Sequence, residues 1–365
     1  MRLIVLAAAM SLMAASCSDG DDTEAEGFAA ISPIVSAYVD SQGLNGAGIA
    51  IVHRDHGIMH EEYWGEFGPD HVSLIASSSK MIAAGVLLRL HEDGALDLDA
   101  PVSDVVDWGS GNPGVTPAQL ISNSSGLVGL LPNPGYSPYL CQWNHEGSLA
   151  ECAETIFTTA DDDRDIAAPD TEFRYGGAQW QVAGAVAEAA SGKTWAELID
   201  EIYIEPCELG TLGFTSPTAF GRGDFSYPSG FDGDLSVLPE SANPNIEGGG
   251  YVTVPDYAAL LLMHLRAGRC GDNQVLSPES LARAHGDRIA EVYDGEAWSA
   301  DNGYGMGWWI SRVSDRITDG GAFGSQVWLD LDDGYGVYLV IEATSQKGQA
   351  LSAQLYDVIE AAVVG

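Results

Sequence analysis

Residues 77–91 read SSSKMIAAGVLLRLH, and the fold turns on how that run is taken. From Met81 to His91 the side chains are almost all apolar, so the pattern predicts a buried helix that stops near Gly94. Lys80 opens this helix and Ser77 lies three residues earlier, so the two side chains share one face of the helix start. Lysine is scarce here: Lys80, Lys193 and Lys347 are the only three in 365 residues. The N-terminus of the helix sets backbone N–H groups and positive potential beside the Ser77 hydroxyl, which favours its alkoxide. A lysine desolvated at that point is expected to lose its proton near neutral pH and to act as the base for serine. The competing reading is a capping serine beside an exposed lysine, because Ser-x-x-Lys also arises by chance.

Working outward, Ile31 to Ser41 reads as an amphipathic helix. Two strands follow, Gly46 to His53 and Ile58 to Trp64, joined through the turn residues 54–57. Beyond Gly94, residues from about Ala100 to Asn245 alternate short helical patterns with Gly/Pro-rich loops and read as a mostly helical lobe. Tyr257 to Leu265 is helical again, and Pro278 to Arg283 starts another helix. The chain ends with strands over Gly305–Arg312, Gly324–Leu331 and Gly336–Glu342, a turn at Asp332–Gly334, and a helix over Gln349–Val363. This order predicts an α+β fold, an antiparallel sheet flanked by helices with an inserted helical lobe.

Composition bounds the function. Fifteen Lys+Arg against 53 Asp+Glu give a net charge of −38, while 45% of the chain is hydrophobic and 19% charged. That is a globular composition with ample core material. Its acidity argues against binding nucleic acid or anionic lipid through a basic surface. Residues 1–16 carry one positive charge and then a short apolar run, which reads as an export signal. Ala14-Ala15-Ser16-Cys17 resembles a bacterial lipoprotein cleavage box, with Ala14 where that pattern prefers leucine. The resemblance implies a lipidated Cys17, an acidic tether over residues 17–27, and a cell-envelope location; ordinary signal cleavage near Cys17 is the alternative. Cys141, Cys152, Cys207 and Cys270 remain, an even number in an exported chain, and allow three connectivities. Cys141–Cys152 with Cys207–Cys270 is the preferred pairing, since the first closes a short loop. No metal site is expected: His53, His56 and His60 fall on the hairpin, and the acidic run 161–165 lacks the spacing of a calcium loop. No Gly-x-Ser-x-Gly elbow occurs in the sequence, and no Gly-x-x-x-x-Gly-Lys-Ser/Thr or Gly-x-Gly-x-x-Gly loop opens a helix after a strand.

Further segments surround the Ser-x-x-Lys run in a telling order. EDGALDLDAPV spans 92–102, VTPAQLISNSSGL 115–127, FRYGG 173–177, NPNIEGGGYVTVPDY 243–257, YGMGW 304–308 and DGGAFGSQVW 319–328. Together they resemble the serine β-lactamase and penicillin-binding-protein superfamily, closest to its class C β-lactamase and family VIII carboxylesterase branch. The resemblance covers nearly everything from residue 28 to 365, which is taken as one hydrolase domain with residues 100–245 as its helical lobe. It implies Ser77 as nucleophile, Lys80 as its base and Tyr175 as the phenol that shuttles the proton to the leaving group. It implies an oxyanion hole from the backbone N–H groups of Ser77 and Ala322. Gly177, Asp319, Gly320 and Gly321 fall at substrate-binding positions of the family motifs. No cofactor is implied, because hydroxyl, amine and phenol supply all the proton transfers.

Two motif residues depart from the pattern. Gly177 stands where Tyr-x-Asn has asparagine, and Asp319 stands where the third motif has lysine or histidine. A carboxylate in place of that cation turns attraction for a substrate carboxylate into repulsion, a swing of several kcal/mol at about 5 Å and an effective dielectric of about 20. Anionic β-lactams are therefore expected to be poor substrates, and neutral carboxylic esters better ones, since an ester needs less leaving-group protonation than an amide. Asp319 either grips a cationic substrate or pairs with an arginine away from the cleft. The expectation is an exported serine hydrolase of carboxylesterase type. A D-amino-acid peptidase or amidase, a weak β-lactamase, and a catalytically feeble cell-envelope binding protein are the alternatives.

Overall fold

The computed structural model describes residues 27–112, 114–130, 136–159, 166–217, 226–239 and 241–365. The export signal, Cys17, nearly all of the tether and the acidic run 161–165 lie outside the described residues. The described strands are β1 (Gly46–His53), β2 (Gly57–Gly65), β3 (Ser73–Leu74), β4 (Leu212–Phe214), β5 (Gly250–Val252), β6 (Arg269–Cys270), β7 (Asn273–Gln274), β8 (Asn302–Tyr304), β9 (Trp309–Ser311), β10 (Arg316–Thr318), β11 (Gln326–Asp330) and β12 (Tyr335–Val340). The described α-helices are α1 (Ile31–Gln42), α2 (Lys80–Glu92), α3 (Pro117–Ile121), α4 (Leu149–Thr158), α5 (Gly177–Ser191), α6 (Trp195–Ile199), α7 (Glu205–Cys207), α8 (Val254–Leu265), α9 (Pro278–His285), α10 (Arg288–Tyr293) and α11 (Ser345–Val364).

Seven strands form one sheet in the order β2-β1-β12-β11-β10-β9-β8, each pair antiparallel. Alternation along β1 and β12 feeds two cores. Ala47, Ile49 and Ile51 join Val337 and Leu339 on the face covered by Val35 and Val39 of α1 and by Leu351, Leu355 and Ile359 of α11. Ala50, Val52, Tyr338 and Val340 face the larger core with Tyr257, Ala258 and Leu261 of α8. A one-residue slip of β1 against β12 would exchange both sets, so the pairing of Ile49 with Leu339 and Ile51 with Val337 is strongly fixed. Every residue from Met81 to Leu88 is buried, which is why α2 carries no polar stripe. It lies inside the larger core against α5 and α9.

The chain departs from expectation around β8 to β10. The stretch 305–312 is not one strand, because 305–308 turns between β8 and β9 and packs on the start of α2. Gly307 has φ 81°, and a Cβ there would sit 2.7 Å from the Lys80 carbonyl oxygen. Close approach of two backbones thus breaks the strand. Short, polar β10 was not foreseen. Both expected disulfides are present: Cys141–Cys152, with Cα atoms 5.5 Å apart, and Cys207–Cys270, at 4.9 Å. Among the described residues no helix is long and apolar enough to cross a membrane.

Candidate active site

A 3-10 turn, Ala76–Ser79, delivers the chain into α2. Ala76 has φ 46°, a left-handed conformation that costs a residue with a Cβ about 1–2 kcal/mol. The three serines of this turn do different work. Ser78 Oγ donates to the Asp319 carbonyl at 2.7 Å and lies 2.8 Å from Ser325 Oγ, tying the turn to the loop after β10. Ser79 Oγ donates to the Ala76 carbonyl at 2.6 Å and accepts from Gly250 N–H at 2.9 Å, tying it to β5. Ser77 is left partly exposed between buried neighbours, facing Lys80.

Lys80 is fully buried, and its Nζ donates to Ser77 Oγ at 3.1 Å, to the Glu247 carbonyl at 3.0 Å and to Glu247 Oε2 at 3.0 Å. An ammonium has three donors, and all three are used. This corrects the expectation of a neutral amine. Burial alone would lower the pKa of Lys80, but the Glu247 carboxylate beside it holds it above its ordinary value. The resting lysine is therefore a cation.

Tyr175 is positioned by the 122–126 segment. Asn123, at φ 56°, accepts from Arg174 N–H through its carbonyl at 2.8 Å and from Gln179 Nε2 through its Oδ1 at 2.8 Å. Leu130 N–H donates to the Tyr175 carbonyl at 2.7 Å, so the loop is fixed on both sides. The Tyr175 ring centre lies 4.7 Å from Lys80 Nζ, and the Ser77 hydroxyl is among the groups that act on its phenol. Burial pushes the phenol above its ordinary pKa despite the nearby Lys80 cation, so Tyr175 rests protonated, as a proton donor.

The two departures from the motif pattern have different outcomes. Gly177 is buried at the start of α5, and a Cβ on it would fall 2.0 Å from Glu247 Oε1 and 2.2 Å from Gln142 Oε1. The missing asparagine side chain thus leaves the space that Glu247 occupies. Glu247 was not singled out from the sequence; its partner Lys80 is 167 residues away, and the available signal was a lone carboxylate in the otherwise apolar and glycine-rich run IEGGG. Asp319, expected at the cleft or on an arginine, is in neither place. It is fully buried, and its Oδ2 accepts from Met81 N–H at 3.3 Å while Oδ1 has no partner. Burial pushes its carboxyl well above the ordinary range, overcoming the pull of Lys80 and of Met81 N–H. It is a neutral acid beneath the site, which removes the repulsion argued from its charge.

Gly320 and Ala322 are partly exposed in the loop between β10 and β11. Gly321 is buried, and a Cβ there would meet the Ile75 carbonyl at 2.1 Å, so this loop lies on the segment leading to Ser77. Trp309 stands beside Tyr175 with ring centres 5.2 Å apart. Phe231 packs with Val72 and Leu74, and Tyr227 against Phe323. Trp298, not noticed in the sequence, stacks on Trp309 at 5.5 Å and is 57% exposed. Trp298, Trp309 and Phe173 make an aromatic shelf beside Tyr175. No group of three or more His, Cys, Asp or Glu placed to hold a metal ion occurs among the described residues.

The model of the Beta-lactamase family matches residues 31–360, a span containing Ser77, Lys80, Tyr175, Glu247 and Asp319. The chain belongs to the beta-lactamase family. As a member of the beta-lactamase family it is a serine hydrolase. Penicillin-binding protein 4 of Amycolatopsis lactamdurans is 25% identical over 328 residues, covering 83% of this chain and 78% of that protein. EstCE1, a hydrolase with promiscuous acyltransferase activity, superposes with a TM-score of 0.73 at 19% identity, covering 94% of this chain and all of that one. Simvastatin synthase from Aspergillus terreus has a TM-score of 0.69 at 16% identity, covering 92% and 98%. At these identities the solved structures speak for the beta-lactamase fold alone.

Proposed function

We propose that the protein is an exported, lipid-anchored carboxylesterase that works through an acyl-enzyme on Ser77. The observation that carries this reading is the Ser77 hydroxyl held 3.1 Å from Lys80 Nζ and against the Tyr175 phenol at the N-terminus of α2. Ser77 Oγ attacks the ester carbonyl, its proton is taken up at the Lys80 site as the ammonium gives up one of its own, and the oxyanion is met by the N–H groups of Ser77 and Ala322. Each such donor is worth about 3–4 kcal/mol of barrier. Tyr175 delivers a proton to the leaving alcohol, and water then releases the acid by the reverse path.

Neutral esters are favoured for three reasons. No lysine or histidine stands at position 319 to hold a substrate carboxylate. The net charge of −38 sets the long-range field against anions. The aromatic shelf offers an apolar wall to an acyl or aryl group. The likeness to Penicillin-binding protein 4 favours a second reading, a peptidase acting on peptides that end in D-amino acids. Export and anchoring rest on residues 1–17.

The test is hydrolysis of a short-chain p-nitrophenyl ester by residues 28–365, with Ser77→Ala beside it. Turnover lost in Ser77→Ala supports the reading. Absence of ester turnover, with cleavage of a peptide ending in two D-alanines, replaces it by the second reading.

A further inference from the structure

The base as the geometry presents it cannot act. A lysine whose three N–H groups point at three acceptors has no lone pair for the Ser77 proton. One of its protons must leave first, and of the acceptors only Glu247 Oε2 can keep it, at 3.0 Å. We propose that the base of this enzyme is the Lys80–Glu247 pair, with Glu247 taking a proton from Lys80 as Lys80 takes one from Ser77. Glu247 thereby fills the place vacated at Gly177 with an ionisable group. The inference rests on the reading of Ser77 as nucleophile.

The proton count closes. At rest the site holds a serine hydroxyl, an ammonium and a carboxylate. In acylation the Ser77 O–H bond breaks, Oγ bonds to the substrate carbonyl carbon, and the carbonyl π pair moves to oxygen. The Ser77 proton goes to Nζ while an Nζ proton goes to Glu247, leaving ammonium and carboxylic acid. Collapse expels the leaving alkoxide, which takes its proton from Tyr175; Tyr175 is reprotonated by Lys80 and Lys80 by Glu247. Water repeats the cycle in deacylation.

Two further observations support the pair. First, Glu247 Oε1 and Gln142 Oε1 are both buried without a hydrogen-bond partner, and both lie within 2.2 Å of the single point where a Gly177 Cβ would be. With Glu247 a carboxylate these two acceptors are short of one donor, and the proton that Glu247 takes from Lys80 supplies it. Second, the carboxylate rides on a stiff loop. Ile246 N–H donates to Gln181 Oε1 at 3.1 Å, Asn245 Nδ2 to the Gln142 carbonyl at 2.9 Å and Gly249 N–H to the Asn245 carbonyl at 2.7 Å. Such fixed geometry suits a transfer over one short hydrogen bond. The other ionisable groups facing the pair are Tyr175, Tyr304 and Asp319, all of which rest protonated.

Glu247→Gln separates this role from a structural one. Glutamine keeps an oxygen for Lys80 and brings an amide N–H₂ to Gln142 Oε1, so the variant should fold as the parent does while losing the proton acceptor. We expect kcat on a p-nitrophenyl ester to fall by about 100-fold at neutral pH. The pH profile should change shape: the parent reaches a plateau, whereas the variant climbs through alkaline pH as its lysine deprotonates. In the parent, independent of any variant, the proton inventory of acylation in H₂O/D₂O mixtures should be curved, with more than one proton in flight. A variant with parental kcat and plateau, or a linear inventory in the parent, overturns the pair. If the parent itself fails to turn over ester or peptide, or if Ser77→Ala remains active, the nucleophile reading falls and the inference with it.

Discussion

Replacing Gly177 by alanine is expected to destabilise the protein, although helix propensity points the other way. At the first position of α5 the change would ordinarily gain up to about 1 kcal/mol. The added Cβ, however, meets Glu247 Oε1 at 2.0 Å, Gln142 Oε1 at 2.2 Å and Glu247 Cδ at 2.3 Å, where ordinary contact begins at 3.4 Å. The carboxylate must retreat by more than an ångström while Lys80 holds its other oxygen at 3.0 Å. Overpacking of this kind costs about 1–3 kcal/mol. A complete swing of Glu247 away from the ammonium would cost about 3–5 kcal/mol, because it leaves a buried charge unpaired. The clash outweighs the propensity gain, and urea unfolding should show a net loss of up to about 2 kcal/mol, seen as a lower midpoint with an unchanged slope. Asparagine, the usual family residue, should be worse alone but tolerated with Glu247→Ala, where its amide enters the vacated space. The double variant should then lose at least about 1 kcal/mol less than the two single losses added together. A Gly177→Ala protein as stable as the parent, or additive losses in the double variant, would refute the claim that Gly177 exists to admit Glu247.

The remaining predictions concern Asp319 and the shelf. A carboxyl whose folded-state pKa is raised keeps a proton that the unfolded chain releases above about pH 3.9, so stability is lost as pH rises through that window, at up to about 1.4 kcal/mol per unit. Asp319→Asn removes this dependence and should gain on the parent from acid toward neutral pH; urea midpoints that diverge in the opposite sense would mean that Asp319 is ionised. Trp298 is 57% exposed, so Trp298→Ala should leave stability within about 0.5 kcal/mol. It should raise KM for aryl esters by about 3- to 10-fold while sparing small acetyl esters, the share of one aromatic stacking contact. Equal effects on both ester classes would remove the shelf from substrate binding.

What could be read from the sequence was local. The Ser77–Lys80 adjacency follows from a three-residue step at a helix start, and β1 follows from alternation over Gly46–His53. The disulfide pairing followed from loop closure, because Cys141 and Cys152 are 11 residues apart. What could not be read was set by distant chain. The charge on Lys80 depends on Glu247, which the fold brings from another segment, so burial alone predicted the wrong protonation state. Asp319 occupies a motif position, yet its side chain turns inward to the Met81 N–H instead of toward a substrate. The strand at 305–312 broke because Gly307 lies against the Lys80 backbone, a contact with no trace in hydrophobic periodicity.

The central claim is a covalent acyl-enzyme on Ser77. Intact-mass analysis of the protein quenched during turnover of a p-nitrophenyl ester, followed by peptide mapping, tests it most directly. A mass increase of one acyl group is expected on the peptide containing Ser77, absent in Ser77→Ala. Steady ester turnover with an adduct on another residue, or an adduct that persists in Ser77→Ala, would contradict it.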